Sequence, residues 1–290
     1  MRWTPGGTSG DIEDRRNDSG SGGFGGGGFG GIHIGIGGLL VLLVLSFIFK
    51  RDLISPLLNS GAGTTSSGPS VTRPADPARE AAEQKEVQFV SFVLDDAQDT
   101  WTKMINGYRH AKLVLFRDSI QSACGGAQTA SGPFYCPADE KVYLDLAFFD
   151  ELSQRFNAAG DFARAYVVAH ELGHHVQKLL GTEAKMRAAQ QANPSRANDL
   201  SVRLELQADC YAGVWGHSTE QRAIIDQSDI QSGLNAAAAV GDDRLQKMAT
   251  GTVMPERFTH GTSAQRAKWL QAGLDSGRID ACDTFSVSEP

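Results

Sequence analysis

Apolar residues recur at helical spacing through the carboxy-terminal two thirds of the chain. Val90, Leu94, Ala97, Trp101 and Met104 fall on one face and predict an amphipathic helix over about 86–106. Lys112–Phe116, Phe134–Cys136 and Val142–Leu144 carry β-forming residues, and Pro137–Lys141 reads as the turn between the last two. Helical patterns follow at about 147–158, 161–180, 197–216, 229–247 and 263–275. This order, a small sheet followed by helices, is an α+β layout that is predominantly helical.

The pattern before residue 80 is different. Residues 19–31 read SGSGGFGGGGFGG, a composition that cannot bury enough surface to order itself. Ile32–Phe49 is an apolar run of 18 residues, long enough to span a bilayer, and Lys50 and Arg51 end it. The leader before it is longer than that of a cleaved signal peptide, so an uncleaved transmembrane anchor is expected. The expected organisation is a disordered Gly-rich segment at 1–31, an anchor at 32–49, a flexible linker at 50–85 and one globular domain at 86–290.

Charge and cysteine content narrow the partners. The net charge of −7 is spread along the chain, with no block of lysines or arginines interleaved with aromatics, which excludes a nucleic-acid surface. Four cysteines form an even set: Cys124 and Cys136 flank a Gly-rich turn and make the natural local pair, leaving Cys210 with Cys282. The alternative is four buried free thiols. Basic residues stand on both flanks of the apolar run (Arg2, Arg15 and Arg16 before it, Lys50 and Arg51 after it), so the positive-inside rule does not decide orientation. Paired cysteines favour a cytoplasmic amino terminus and an extracytoplasmic carboxy-terminal domain.

The chemistry is concentrated in AYVVAHELGHHVQKLL, where His170, Glu171 and His174 form H-E-x-x-H within a helix that Asp161 opens as expected N-cap. Histidines four apart lie one turn above each other, so both imidazoles can reach one ion. The glutamate beside them can take a proton from a water that the ion acidifies. The motif arises by chance in roughly one chain per hundred of this composition. A helix with purely structural histidines is the competing explanation.

The next long helix, VRLELQADCYAGVW, places Glu205 and Asp209 four apart on one face. Glu205 can complete a zinc site of two histidines and one carboxylate, with the fourth position open to water. Asp209, one turn on, can orient a ligand imidazole through its remaining N–H. A solvated acidic pair is the alternative, but Leu204, Leu206, Ala208 and Tyr211 mark a buried helix, where unpartnered carboxylates are costly.

HELGHH followed by ELQAD resembles the gluzincin arrangement, in which E-x-x-x-D follows H-E-x-x-H on a later helix. Most of the chain is similar to the bacterial neutral zinc metallopeptidase family. MRW with EDRRND, the Gly-rich stretch and apolar run, GPFYCPADEKVYLDLAFF, HELGHHVQ, LELQADCYAGVWGH and FTHGTSAQRAKWL carry the likeness. The resemblance implies a zincin-like peptidase fold, zinc as cofactor, the ligands His170, His174 and Glu205, and a peptide or protein substrate, on a bacterial inner-membrane protein. Zincins place a sheet edge beside the metal for substrate to extend; Val142–Asp145 is the candidate strand here, with an ordinary core strand as the equal alternative.

His260 precedes a capping box formed by Thr262 and Gln265. It has either a structural role or a catalytic one as donor to the oxyanion, with Tyr166, Tyr143 and Tyr211 as rival donors. His175 lies about 100° round the helix from His174 and cannot share the ligand face. His110 and His217 lack ligand spacing, and His33 lies at the expected membrane edge. The rival to a peptidase is a non-catalytic, membrane-tethered module that binds zinc or a peptide without cutting it.

Overall fold

The structure is a computed structural model that describes residues 1–18, 77–129, 132–154 and 158–290. The anchor expected at Ile32–Phe49, most of the expected linker and His33 lie outside the described residues. Among the described residues no helix is long and apolar enough to cross a membrane.

Six short strands form two sheets: β1 (Ile12–Asp14), β2 (Lys112–Phe116), β3 (Ser119–Ser122), β4 (Gly125–Gln128), β5 (Phe134–Cys136) and β6 (Lys141–Asp145). The main sheet has the order β1-β2-β6-β5; β1, β2 and β6 are parallel, while β5 runs antiparallel to β6. β2 and β6 are buried over all but their first residues, as strands covered on both faces should be. β6 is therefore a core strand and not the edge considered for substrate; the free edge beyond it belongs to β5. β3 and β4 form a separate hairpin, which the polar sequences SIQS and GGAQ gave no alternation to announce.

β1 falls in the segment expected to be disordered. It pairs with β2 in the register Ile12 to Leu113 and Asp14 to Leu115. Around it, Trp3 packs edge-on against Phe89, and Arg2 N donates to Ile224 O at 2.7 Å.

Eight α-helices are described: α1 (Pro77–Met104), α2 (Ala147–Gln154), α3 (Asp161–Leu179), α4 (Thr182–Ala192), α5 (Ala197–Gln221), α6 (Gln227–Ala239), α7 (Asp242–Thr250) and α8 (Ser263–Ser276). α1 buries Val90, Leu94, Ala97 and Trp101 on the expected face, but it begins at Pro77 and leaves Met104 39% exposed at its end. The pattern read as one helix over 229–247 is broken at Val240 and Gly241, which sets Asp242 against the backbone of residues 259–261. α4 was not foreseen; its sequence TEAKMRAAQQA buries only Glu183 and Met186.

The principal core joins α1, the sheet, α3 and α6 through Leu94, Leu115, Leu144, Phe162, Leu172 and Ile230. A second cluster behind α5 gathers Trp101, Leu206, Tyr211, Trp269 and the half-cystines Cys210 and Cys282. Both expected disulfides, Cys124–Cys136 and Cys210–Cys282, are present. Closing the 72-residue separation of the second removes about 4 kcal/mol of unfolded-state freedom in the chain-entropy description.

Backbones touch where α3, α5 and α8 cross. A Cβ at Gly213 would lie 2.2 Å from Leu270 O, and one at Gly273 would lie 2.0 Å from Cys210 O. A Cβ at Gly173, the glycine inside HELGH, would lie 2.9 Å from Ala208 O and 3.1 Å from its Cα. These contacts are to backbone, so they are relieved only by moving a helix. In Gly173→Ala the helix gains about 1 kcal/mol of propensity, against about 1–3 kcal/mol for overpacking at a rigid contact. Gly173→Ala is therefore expected to lower thermal stability, and a rise in the melting temperature would show that the crossing is looser than described.

Candidate metal centre

α3 begins after Gly160, whose φ of 122° is open to glycine, and no side chain caps it. Asp161 is the first helical residue rather than the N-cap: its carboxylate accepts from Trp3 Nε1 at 3.0 Å and from Arg164 at 2.5 Å. The helix then runs unbroken past His170, Glu171, His174 and His175, and α5 crosses it at Gly173.

This crossing brings together His170, His174 and Glu205, one ligand atom of each lying within 4.8 Å of the others. His170 Nε2 is 3.2 Å from Glu205 Oε2, and His174 Nε2 is 3.5 Å from Glu205 Oε1. The opposite nitrogens are already engaged. His170 Nδ1 lies 2.8 Å from Asp209 Oδ1, and His174 Nδ1 lies 2.9 Å from Gln177 Oε1. The Gln177 amide is oriented by its own Nε2, which donates to Leu204 O at 2.7 Å. Both acceptors require N–H at Nδ1, which leaves both Nε2 lone pairs facing Glu205 when the rings are neutral. A donor set of two such nitrogens and one carboxylate oxygen fits a zinc ion.

Electrostatics in the cluster follow from burial and pairing. Burial pushes His170 down, but the Asp209 charge and the bonds to Asp209 and Glu205 reverse this and carry it to about 10. Burial likewise opposes a charge on His174, and Glu205 raises it. Burial would raise Glu205, but His174 and His170 hold it well below the usual carboxylate range. A cation entering here takes the place of protons held between the imidazoles and Glu205. Glu171 stands beside the pair, itself buried, and its charge also favours protonated His174.

Asp209 is completely buried and held by more than the histidine. Arg266 on α8 donates to both its oxygens at 2.9 Å, and Tyr166 donates to Oδ1 at 2.5 Å. Arg266 also donates to the Tyr166 hydroxyl at 3.0 Å. Against the effect of burial, Arg266 and His170 hold Asp209 below its ordinary range. Tyr166 is thus committed to Asp209 and does not serve as a free donor. Tyr143 donates to Asp139, and Tyr211 packs against Trp101 in the second core.

His260 is placed by Asp242. The backbone N–H groups of Thr259, His260 and Gly261 donate to Asp242 Oδ2 at 2.7, 2.7 and 3.2 Å, and His260 Nδ1 lies 3.1 Å from Asp242 Oδ1. The expected capping box of Thr262 and Gln265 starts α8 directly after this loop. Burial lowers the His260 pKa, but Asp242 and the negative charge of Glu205 raise it above the usual value.

The other described histidines bond elsewhere in the fold. His175 donates through Nε2 to Arg109 O at 2.6 Å and accepts from Tyr135 through Nδ1 at 2.9 Å. His217 donates to Leu274 O, and His110 bonds Asp11. The sequence did not single out Gln177, Asp242 or Arg266. Only Gln177 carried a local signal, three residues after His174 on the same helix.

The family described as "Putative neutral zinc metallopeptidase" matches residues 1–285. The chain is similar to "Uncharacterized protein YpfJ" of Escherichia coli strain K12, at 46% identity over 295 residues, covering 99% of this chain and 100% of that protein. It is similar to "Uncharacterized protein Rv2575" of Mycobacterium tuberculosis strain H37Rv, at 44% identity over 200 residues, covering 65% of this chain and 67% of that protein. No solved structure matches the chain.

Arg266→Met would leave the buried Asp209 without its guanidinium partner, a change that costs about 3–5 kcal/mol. It would also loosen the hold on His170, which typically weakens metal affinity about 10- to 100-fold. Adding Asp209→Leu should recover the stability but not the affinity. Recovery of both, by thermal unfolding and zinc titration, would reduce the pair to a packing role.

Proposed function

The chain belongs to the neutral zinc metallopeptidase family, and from that premise we propose that it is a peptidase that hydrolyses peptide bonds with zinc at His170, His174 and Glu205 and Glu171 as general base. The observation that supports this most directly is the convergence of two Nε2 atoms and a Glu205 oxygen, with both Nδ1 atoms tied to acceptors. Zinc, when bound, would acidify a water and polarise the scissile carbonyl. Glu171, adjacent to His170 on the same helix, would take the proton of the attacking water and return it to the leaving amine. His260, fixed by Asp242, would donate to the oxygen of the tetrahedral intermediate. An extended substrate would align on the free edge of β5, next to α3, through backbone hydrogen bonds.

A non-catalytic zinc module is the alternative, and the donor count argues against it. Structural zinc is usually closed by four protein ligands, whereas the described cluster offers three. The two disulfides favour an oxidising, extracytoplasmic location for the domain.

Glu171→Gln should keep zinc and fold yet lose hydrolysis in a peptide-library cleavage assay; turnover at the parent rate would remove Glu171 from the base role. Glu205→Ala should lose zinc on dialysis, read by elemental analysis. His260→Ala should keep zinc and lower kcat about 100-fold or more, the effect of deleting an oxyanion donor, while KM changes little. Cleavage that persists in full after exhaustive chelation would exclude the metal mechanism.

A further inference from the structure

The two chain segments that flank the apolar run Ile32–Phe49 belong to one folded body. On the amino-terminal side, β1 lies in the main sheet beside β2. Ser9 N donates to Ser91 Oγ, and the Trp3 indole donates to Asp161. Asp11 receives Gln98 and Lys112, and Glu13 receives Lys141. Arg15 N donates to Leu115 O at 2.8 Å, immediately before the segment that leads to the apolar run. On the carboxy-terminal side, α1 emerges at Pro77, and its Glu83 pairs with Arg16 at 2.9 Å and with Arg117. Arg16, just before the intervening segment, and Glu83, two turns into the helix that follows it, are therefore in direct contact.

Topology then reduces to parity. A chain that crosses a bilayer once places its two flanks on opposite sides, and flanks on one side require no crossing or two. A crossing needs about 20 largely apolar residues. Residues 50–76, KRDLISPLLNSGAGTTSSGPSVTRPAD, supply no second such run, since their apolar residues stand in short groups between Arg51, Asp52, Pro56 and a Ser/Gly/Thr-rich stretch. Residues 19–31 supply none either. Insertion of β1 into the sheet of a second copy would not change the result, because that sheet too would have to stand on the amino-terminal side.

We infer that residues 1–18 and 77–290 occupy the same side of any membrane the chain meets, so that the sequence between them does not make a single crossing. This reverses the expectation of an amino terminus and a domain on opposite sides. It accounts for the basic residues on both flanks of the run, Arg15 and Arg16 before it and Lys50 and Arg51 after it, which a one-way crossing would bias toward one end. The inference stands on strand pairing and not on the peptidase reading, and it survives if the protein cuts nothing.

All four cysteines of the chain are paired, so an introduced cysteine is its one free thiol. Thr8→Cys and Ala188→Cys, both at exposed positions, would be made separately in the full chain and labelled with a membrane-impermeant maleimide in intact cells and again after permeabilisation. Thr4→Cys and Asp275→Cys repeat the measurement at independent exposed sites. The expected result is that the amino-terminal and domain thiols behave alike: both labelled in intact cells, or both labelled only after permeabilisation. Labelling of one member of each pair in intact cells and of the other only after permeabilisation would overturn the inference.

Discussion

Asp209 is a carboxylate with no exposed surface, placed at the point where three helices meet. A lone buried charge is among the most destabilising features a fold can contain, and this one is matched by a guanidinium that grips both oxygens. The pairing joins α5 to α8, while the bonds from Tyr166 and His170 add α3. Satisfying Asp209 and aiming His170 are thus one arrangement. The carboxylate oxygen that completes the Arg266 fork also fixes the imidazole with Nε2 toward Glu205. A helix displaced far enough to mis-aim His170 would also strand a buried charge.

That arrangement requires close approach, which the glycines permit. Gly213 and Gly273 let α5 and α8 meet backbone to backbone, and Gly173 does the same for α3 and α5 beside the histidine pair. A carboxylate on one helix and imidazoles on another meet at 3.2 and 3.5 Å only if the helices stand near enough for ordinary side-chain lengths to reach. The disulfide Cys210–Cys282 secures the far side of α5, so the helix bearing Glu205 and Asp209 is held on both flanks.

The parts of the site that were legible in the sequence are those encoded by spacing within one helix. His170 with His174, and Glu205 with Asp209, are pairs at i and i+4, and helix geometry alone puts each pair on one face. Arg266 and Asp242 are joined to the site by tertiary packing across long separations, and a sequence carries no periodic trace of such a neighbour. The same distinction runs through the fold. α3 and α8 announce themselves by apolar periodicity and β2 and β6 by their β-forming residues, whereas β1 is three residues long and the β3–β4 hairpin is polar. β6 was a candidate edge because its sequence does not say what lies beside it; order within a sheet is a property of pairing, and β5 takes the edge. Asp161 reads as an N-cap by residue type, yet Trp3 and Arg164 claim its carboxylate.

The run HELGHH carries a third histidine whose position follows from the first two. His175 is one residue beyond His174 and so about 100° round the helix, pointing away from Glu205. There its ring bridges the Tyr135 hydroxyl on β5 and the Arg109 carbonyl before β2. Since a carbonyl only accepts, Nε2 must carry the proton and Nδ1 must receive the tyrosine hydroxyl, and burial lowers the pKa of the ring toward this neutral form. The neutral ring ties the free edge of the sheet to the same helical turn that presents His174. Cys136, the next residue on β5, is fixed in turn to Cys124. The edge strand β5 is thereby tied, through consecutive residues of one helix, to the turn that carries the nitrogen of His174 facing Glu205.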